Sequence, residues 1–278
     1  MTRALALLLA AFFSLAACVA RKSGTSGPAD ESFTLASRAL GETRLVNVHV
    51  PSHASNRETV FAAPLPVLVM PDGGLDEDFP HVVAAVEALI ERNAIRPHLV
   101  VGIPNTQRRR DLTGPTEVES DRKIAPQVGG SAAFRGFLRD ELLPEIERRY
   151  DVTQERALIG ESLAGLFVLE TFLEEPTLFT HCVALDPSLW WNHGALVESA
   201  PARLAASDAP EVRVAAPRTL FFASSEEPST REGCARLARF LVTAPPAGLR
   251  WQYIPRPDLG HATIFRGLEL EALEEALR

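Results

Sequence analysis

Residues 157–170 read ALIGESLAGLFVLE. The first three residues form a short apolar run that is typical of a buried strand, and the residues after Gly165 form an apolar run of helical length. Ser162 stands between the two runs, flanked at two residues' distance by Gly160 and Ala164. The stretch therefore predicts a strand, a sharp turn and a helix, with a serine hydroxyl held exposed at the turn as a nucleophile.

The G-x-S-x-[GA] pattern carries little weight alone, because it arises by chance in roughly one chain in five of this length. Ala164 also replaces the more usual glycine, and an ordinary strand-to-helix turn is the alternative interpretation. Two physical features favour the nucleophile. Gly160 and Ala164 are small enough for strand and helix backbones to approach closely, and the helix N-terminus behind Ser162 would stabilise an oxyanion.

Composition restricts the classes of function. The chain has 278 residues, of which 46% are hydrophobic and 23% charged, and its formal net charge is −8. This is enough for one large globular domain. The only basic cluster, residues 108–110, is too short for a nucleic-acid surface in an acidic protein. We expect no nucleic-acid partner, no metal ion and no organic cofactor; the sequence does not indicate an oligomeric state.

The N-terminus predicts export. Arg3 precedes an apolar run over residues 4–17 that is typical of a signal peptide, 1–17, and too short for a transmembrane helix. The run ends in Leu-Ala-Ala-Cys18, which resembles a bacterial lipoprotein box; ordinary cleavage near Ala17 is the alternative. Residues 18–31 would form a lipidated tether, and 32–278 the folded domain. We expect the domain to lie at a membrane surface in the cell envelope, on the periplasmic side.

Two further cysteines remain in the folded domain. Cys182 and Cys234 could pair in an oxidising compartment, or could both be buried thiols. Cys182 lies inside an apolar run, and we favour unpaired thiols.

The rest of the chain alternates between strand and helix patterns. Polar–apolar alternation at 32–40 and 43–51 predicts antiparallel edge strands, and continuous apolar runs predict buried strands. Such alternation predicts an α/β fold with a mainly parallel central sheet flanked by helices. The predicted buried strands are 65–70, 97–104, 156–160, 181–186, 219–223 and 251–254. The predicted helices are 82–95, one through Phe134 to Ile146, 195–206, 231–241 and 268–278.

The strand–turn–helix motif within this pattern is similar to that of α/β-hydrolases, whose triad runs in the order serine, acid, histidine. Three histidines follow Ser162. His181 opens a predicted strand and His193 lies in a loop, whereas His261 lies between the last strand and the last helix, where the catalytic base is expected. The alternative is an ordinary loop histidine.

The acid is expected after the strand at 219–223. Glu226 and Glu227 follow that strand. Adjacent side chains usually point in different directions, so we expect only one of them to be the acid, and we prefer Glu227. The alternative is a pair of solvated loop charges. For the oxyanion hole, we expect one backbone N–H from Leu163 and a second from the loop that contains Gly73 and Gly74. That loop could equally be an ordinary turn.

Six blocks of the chain together resemble the putative-esterase family of α/β-hydrolases, which includes esterase D and the enterochelin-esterase-like serine hydrolases. The resemblance implies ester hydrolysis by Ser162 and His261, with an acid near Glu226 and Glu227. The blocks are VLVMPDGG at 67–74, VVGIPNTQRRRDLTGP at 100–115, GGSAAFRGFLRDELLPEIERRY at 129–150, IGESLAGLFVLETFLEEP at 159–176, ALDPSLWWN at 184–192 and GH at 260–261.

Two residue pairs in these blocks are candidates for the substrate pocket. Arg110 and Asp111 could line the mouth of the site or form a surface salt bridge, which would stabilise little. Trp190 and Trp191 follow a predicted strand end, so at least one could form an apolar pocket; packing in the core is the alternative.

The sequence as a whole predicts a serine carboxylic-ester hydrolase that acts on a small-molecule ester through an acyl-enzyme. Two alternatives remain. The same triad could transfer the acyl group to an alcohol instead of water, or the fold could be a catalytically idle binding module. The sequence does not identify the natural ester.

Overall fold

The computed structural model describes residues 29–51, 63–207 and 217–278. Eight strands in these ranges form one sheet in the order β1-β2-β4-β3-β5-β6-β7-β8. Strands β1 and β2 are antiparallel to each other, β2 is antiparallel to β4, and all later neighbours are parallel. The strands are β1 Ala29–Ser37, β2 Glu42–Val50, β3 Leu65–Pro71, β4 Leu99–Ile103, β5 Val152–Glu161, β6 His181–Leu185, β7 Arg218–Ser224 and β8 Leu249–Pro255.

Helices cover both faces of the sheet. Helices α1 and α9 form one apolar layer with the residues of β3 and β5 that point to their side, and α4 to α8 form the other layer. The helices are α1 Phe79–Glu91, α2 Arg108–Asp111, α3 Glu119–Lys123, α4 Ser131–Phe137, a π-helical turn Leu138–Leu142, α5 Leu143–Arg149, α6 Leu163–Glu174, α7 Trp191–Ser207, α8 Pro228–Thr243 and α9 His261–Leu277.

The predicted α/β architecture is confirmed. Strands β3, β4 and the end of β5 are buried on both sides, which explains their continuous apolar sequences. Because β3, β5, β6 and β7 are parallel, their carboxyl ends lie at one edge of the sheet. Ligands of open α/β sheets bind at this edge.

Several predicted boundaries differ from the structure. Strand β1 begins at Ala29, so residues 29–31 belong to the sheet and not to the tether. Residues 105–130, for which no strand or helix was predicted, contain the short helices α2 and α3. The last helix begins at His261 instead of residue 268, because Ile264 and Phe265 already pack into the apolar layer.

The N-terminal predictions fall outside the described residues. The signal peptide at 1–17, the lipidation site Cys18 and the tether up to residue 28 therefore stay predictions. Among residues 29–51, 63–207 and 217–278, no helix has both the length and the apolar character needed to cross a membrane. Cys182 and Cys234 are both buried free thiols, as preferred from the sequence.

Candidate active site

Ser162 occupies the turn between β5 and α6. Its backbone has φ 60° and ψ −119°, a left-handed conformation that is uncommon for a residue with a side chain. The turn is tight: a Cβ on Gly160 would lie 2.6 Å from Ala164 Cβ and 2.7 Å from the Ala164 carbonyl carbon, so position 160 has no room for a side chain. The Ser162 N–H donates to the Leu185 carbonyl at 3.0 Å, which fixes the turn against the end of β6.

Three neighbouring strands end in residues with positive φ. Asp72 after β3 has φ 55°, Ser162 after β5 has φ 60°, and Asp186 after β6 has φ 44°. Each of these backbone conformations costs free energy for a residue other than glycine. Such conformations cluster at functional sites, and here they mark the edge of the sheet where the polar side chains converge.

The carboxylate that holds His261 belongs to Asp186. Asp186 Oδ2 lies 2.5 Å from His261 Nδ1. The Asp186 side chain is fully buried and accepts two further hydrogen bonds, from the Ser225 N–H at 2.7 Å and the Ser225 hydroxyl at 2.8 Å. Burial alone would raise the pKa of Asp186, but the hydrogen bonds from His261 and Ser225 outweigh it and lower the pKa.

This geometry corrects the sequence-based choice of acid. Glu226 and Glu227 are exposed, and Glu227 serves as the N-cap residue of α8. Neither carboxylate is hydrogen-bonded to His261 within the described residues. The physical reason is strand order. Because β6 lies between β5 and β7, an acid at the end of β6 is closer to the serine turn than one after β7.

His261 is the first residue of α9 and follows strand β8. Asp186, when ionised, can only accept a hydrogen bond, so Nδ1 carries the proton in the neutral imidazole and Nε2 is left as the acceptor. The hydrogen bond from Nδ1 to Asp186 is the main reason why the pKa of His261 is raised. The imidazole is 44% exposed, so Nε2 can exchange protons with a ligand or with water.

A second hydroxyl lies beside Ser162. Ser188 Oγ is 3.4 Å from Ser162 Oγ, and the Ser188 N–H donates to the Ser162 carbonyl at 3.0 Å. The turn after Asp186 therefore folds back onto the serine. Sequence patterns gave no sign of this contact, because it depends on how β5 and β6 are paired.

The predicted oxyanion donors have different surroundings. Leu163 is the first residue of α6, so its N–H has no acceptor within the helix. The Gly73 N–H donates to the Ile103 carbonyl at 3.1 Å, and a Cβ on Gly73 would lie 2.3 Å from Gly102 Cα. Gly73 therefore serves close packing against β4 and does not offer its N–H to a ligand.

The Gly74 N–H donates to the Glu77 carboxylate at 2.8 Å. The same carboxylate group accepts a hydrogen bond from the Asn105 side chain at 2.7 Å. Gly74 can act as an oxyanion donor only if this side chain moves away, so its role stays a prediction. Arg108 and Asn105 both bind Asp72, with Arg108 Nε at 2.7 Å, and so join the loops after β3 and β4.

Asp111 is not a pocket residue. It is 1% exposed, and its carboxylate lies 2.6 Å from the guanidinium of Arg44, which is also buried. Arg110 binds Asp111 at 2.6 Å and Glu42 at 2.8 Å. The pair predicted at 110–111 is therefore part of a buried ion network that fixes the loop onto β2.

Arg110 nevertheless lines a cavity of about 540 Å³ together with Arg108 and Arg109. Arg108 Nη2 is 3.5 Å from the carbonyl of Glu161, the residue before Ser162, so one lining residue of the cavity also contacts the serine turn. Ser162, Asp186 and His261 are not among the residues that line the cavity. The other residues that line it are Thr106, Gln107, Ala125, Pro126 and Gln127.

The two tryptophans differ. Trp191 is 4% exposed, belongs to the apolar layer and donates its indole N–H to the Gly114 carbonyl at 2.9 Å. Trp190 is 41% exposed and lies four residues after Asp186. Trp191 thus packs in the core, whereas a pocket role for Trp190 stays a prediction. Within the part of the chain that the structure describes, no cluster of three or more His, Cys, Asp or Glu side chains could hold a metal ion.

Comparison with known families identifies the chain's relatives. The family model Esterase, whose description reads "Putative esterase", matches residues 37–219, which is more than half of the chain. The chain belongs to this family. The matched range contains Ser162 and Asp186, and His261 follows it.

Two curated esterases are similar in sequence to this member of the Esterase family. Ferri-bacillibactin esterase BesA of Bacillus subtilis is 36% identical over 115 residues, which cover 37% of this chain and 40% of BesA. The siderophore triacetylfusarinine C esterase of Aspergillus fumigatus is 29% identical over 191 residues, which cover 63% of this chain and 61% of the relative. The chain thus spans less than two thirds of the length of these curated relatives.

Solved structures of similar fold include the IroE-like serine hydrolase from Shewanella oneidensis and the BES protein from Bacillus cereus. The match to the first has a TM-score of 0.76 at 24% identity and covers 90% of this chain and 80% of the hydrolase chain. The match to the second has a TM-score of 0.77 at 20% identity and covers 92% of this chain and 99% of the BES chain. These likenesses establish that the Esterase-family chain has the α/β-hydrolase fold.

Proposed function

We propose that this protein is a serine carboxylic-ester hydrolase with Ser162 as nucleophile, His261 as base and Asp186 as acid. The observation that carries the proposal is the 2.5 Å hydrogen bond between His261 Nδ1 and Asp186, formed beside a serine held at positive φ on the neighbouring strand end. Membership of the Esterase family supports the same reaction class.

The reaction follows from the protonation states. With Nδ1–H donated to Asp186, Nε2 of His261 accepts the Ser162 proton as the hydroxyl attacks the ester carbonyl. The imidazolium then returns this proton to the departing alcohol, which leaves an acyl-enzyme. Water activated by the same imidazole hydrolyses the acyl-enzyme. Asp186 stays ionised throughout and stabilises the imidazolium, as its lowered pKa requires.

The oxyanion formed in each step would be stabilised by the Leu163 N–H at the start of α6, where the helix dipole adds partial positive charge. In this proposal the Gly74 N–H joins it after the Glu77 carboxylate has been displaced from its 2.8 Å contact.

The named relatives give a substrate class. They are esterases of siderophores, which are small molecules, and we propose that the natural substrate here is also a small-molecule ester of the siderophore type. The cavity of about 540 Å³ is lined by three arginines, one of which also contacts the serine turn, and it is large enough to take part of such a ligand.

The experiment compares hydrolysis of p-nitrophenyl acetate, p-nitrophenyl butyrate and bacillibactin by the purified protein and by the variants Ser162→Ala and His261→Ala. We expect activity in the parent and a loss of about 10³-fold or more in both variants. Labelling of the parent by a fluorophosphonate, absent from Ser162→Ala, identifies the nucleophile. Equal activity in all three proteins would contradict the assignment, and lack of labelling would favour the binding module.

We also propose that the protein is exported and anchored by lipid at Cys18. The support is the sequence at 15–18 and the apolar run before it. Metabolic labelling with a clickable fatty acid should mark the wild-type protein and not Cys18→Ala. Equal labelling of the two proteins, or none in either, would contradict the anchor.

A further inference from the structure

Glu161 is a carboxylate that the proposed triad does not use. It is the last residue of β5 and directly precedes Ser162. Its side chain is 19% exposed, and Oε1 lies 4.0 Å from His261 Nδ1. The same nitrogen lies 2.5 Å from Asp186 Oδ2. The imidazole therefore faces two carboxylates, one fully buried and one mostly buried.

The charged groups around Glu161 come from four elements. They are His261 at the start of α9, Asp78 before α1, Arg108 in α2 and Asp186 after β6. Arg108 does not neutralise the Glu161 carboxylate by hydrogen bonding, because its guanidinium is bound by Asp72 through two hydrogen bonds and reaches only the Glu161 carbonyl. Within the described residues, the ion pair that Glu161 forms is the one with His261.

We propose that Glu161 is a positioning residue that acts through His261, as a second carboxylate that stabilises the protonated imidazole. This inference rests on the proposed function, since it assigns a role in that same site. In the reaction no bond to Glu161 forms or breaks. Its charge makes the imidazolium more stable when the Ser162 proton has moved to Nε2.

The acid–base behaviour of Glu161 agrees with this role. Burial is the main reason why the pKa of Glu161 is raised, to about 7, and the positive charge of His261 opposes the rise. Glu161 therefore loses its proton in the range where a catalytic histidine must be neutral. Above this range the carboxylate supports the imidazolium, and below it the support is lost.

Substitution of Glu161 should change the pKa of His261. The imidazole protons of His261 can be followed by NMR as a function of pH in the full-length protein, with His261→Ala used to assign them. In Glu161→Gln we expect the pKa of His261 to fall by about one unit, because an anion at this distance is removed. Glu271→Gln, which removes an exposed carboxylate elsewhere on α9, should leave it unchanged.

Kinetics give the second readout. In Glu161→Gln the acid limb of kcat/KM should move to lower pH by the same amount, and the plateau should fall severalfold because the imidazole is a weaker base. Glu161→Asp keeps the negative charge, so the acid limb and the plateau of its kcat/KM should lie between those of wild type and Glu161→Gln. This variant guards against misfolding of the neutral one. Thermal unfolding of each variant checks the fold.

The outcomes separate the two proposals. An unchanged His261 pKa and an unchanged acid limb in folded Glu161→Gln would overturn the role of Glu161 while leaving esterase activity intact. A wild-type protein without esterase activity, but with a His261 pKa that falls in Glu161→Gln, would contradict the proposed function and confirm the pairing.

Discussion

Ser162 and Asp186 follow the paired ends of two adjacent parallel strands. Their preceding residues, Glu161 and Leu185, are partners in the register of β5 and β6. The Ser162 N–H donates to the Leu185 carbonyl at 3.0 Å, and the Ser188 N–H returns to the Ser162 carbonyl at the same distance. Serine and acid are thus held by one continuous set of backbone hydrogen bonds, and only His261 comes from another strand connection.

Substitution of the acid distinguishes Asp186 from the glutamates after β7. Asp186→Asn should lower kcat/KM on p-nitrophenyl esters by about 10⁴-fold, because the imidazole loses the tautomer that accepts the serine proton. Glu227→Gln should change it by less than about threefold, because an exposed charge is screened. Loss of activity in Glu227→Gln with little loss in Asp186→Asn would reverse the assignment.

Gly160 should tolerate no side chain. In Gly160→Ala the new Cβ would lie 2.7 Å from the Ala164 carbonyl carbon, so the start of α6 must shift and the free energy of unfolding should fall by about 1–3 kcal/mol. Activity should fall at least about tenfold, because the Ser162 hydroxyl is displaced. In Gly136→Ala of α4, the nearest atom outside the local backbone is Arg139 Nη2 at 3.8 Å. Denaturant unfolding should show that this control is unchanged or more stable.

The ion pair between Arg44 and Asp111 is almost fully buried, with side chains 1% and 2% exposed. Asp111→Asn removes the nearer of two carboxylates from the Arg44 guanidinium and leaves only Glu42, at 3.2 Å. The free energy of unfolding should therefore fall by about 3 kcal/mol in urea titrations. The exposed pair of Lys123 and Glu119 is the control. Glu119→Gln should change stability by less than about 0.5 kcal/mol. Equal effects of the two substitutions would contradict a structural role for Asp111.

Stability should fall as pH rises because of His81, which is buried between Asp78 and Glu269. Burial lowers the pKa of His81, but hydrogen bonds to the two carboxylates outweigh it and raise the pKa to about 9 from the ordinary 6.5. The folded protein therefore binds the proton more tightly than the unfolded chain. The contribution is fully present below pH 6.5, is lost as pH rises towards 9, and amounts to roughly 3 kcal/mol.

Urea unfolding at a series of pH values measures this contribution. The difference in stability between wild type and His81→Gln should shrink between pH 6.5 and 9. Parallel curves for the two proteins would show that His81 is neutral in the fold.

Local sequence predicted the elements that depend on local physics. The strand, turn and helix around Ser162 follow from an apolar run, two small residues and a second apolar run, and the position of His261 follows from the order of elements. The acid was missed because the choice between β6 and β7 depends on which strand lies next to β5. The sequence around Asp186 did contain a signal for a site residue. Asp186 is a polar residue that directly follows an apolar strand and precedes Pro187, so it lies at the edge of the sheet where ligands bind.

The roles of the glycines depend on tertiary contacts. Gly73 was predicted to donate to an oxyanion, but its N–H binds Ile103 and its missing side chain lets β4 approach. Asp111 was judged a surface or pocket residue because nothing in the sequence around it indicates that Arg44, from a distant strand, is buried beside it. Such pairings arise only when β2 is placed against the loop after β4.

The positive φ of Ser162 makes the end of β5 a position where selection for heat tolerance and selection for turnover would favour different residues. Glycine would relax this φ, and the Ser162 hydroxyl makes only a 3.4 Å contact to Ser188, so a library selected for thermal survival alone should accumulate glycine at position 162. At positions 72 and 186 the same change would remove a carboxylate from its hydrogen bonds. Selection on ester cleavage should remove glycine from position 162. Comparing the two selected pools would map, residue by residue, where this fold gives up stability for chemistry.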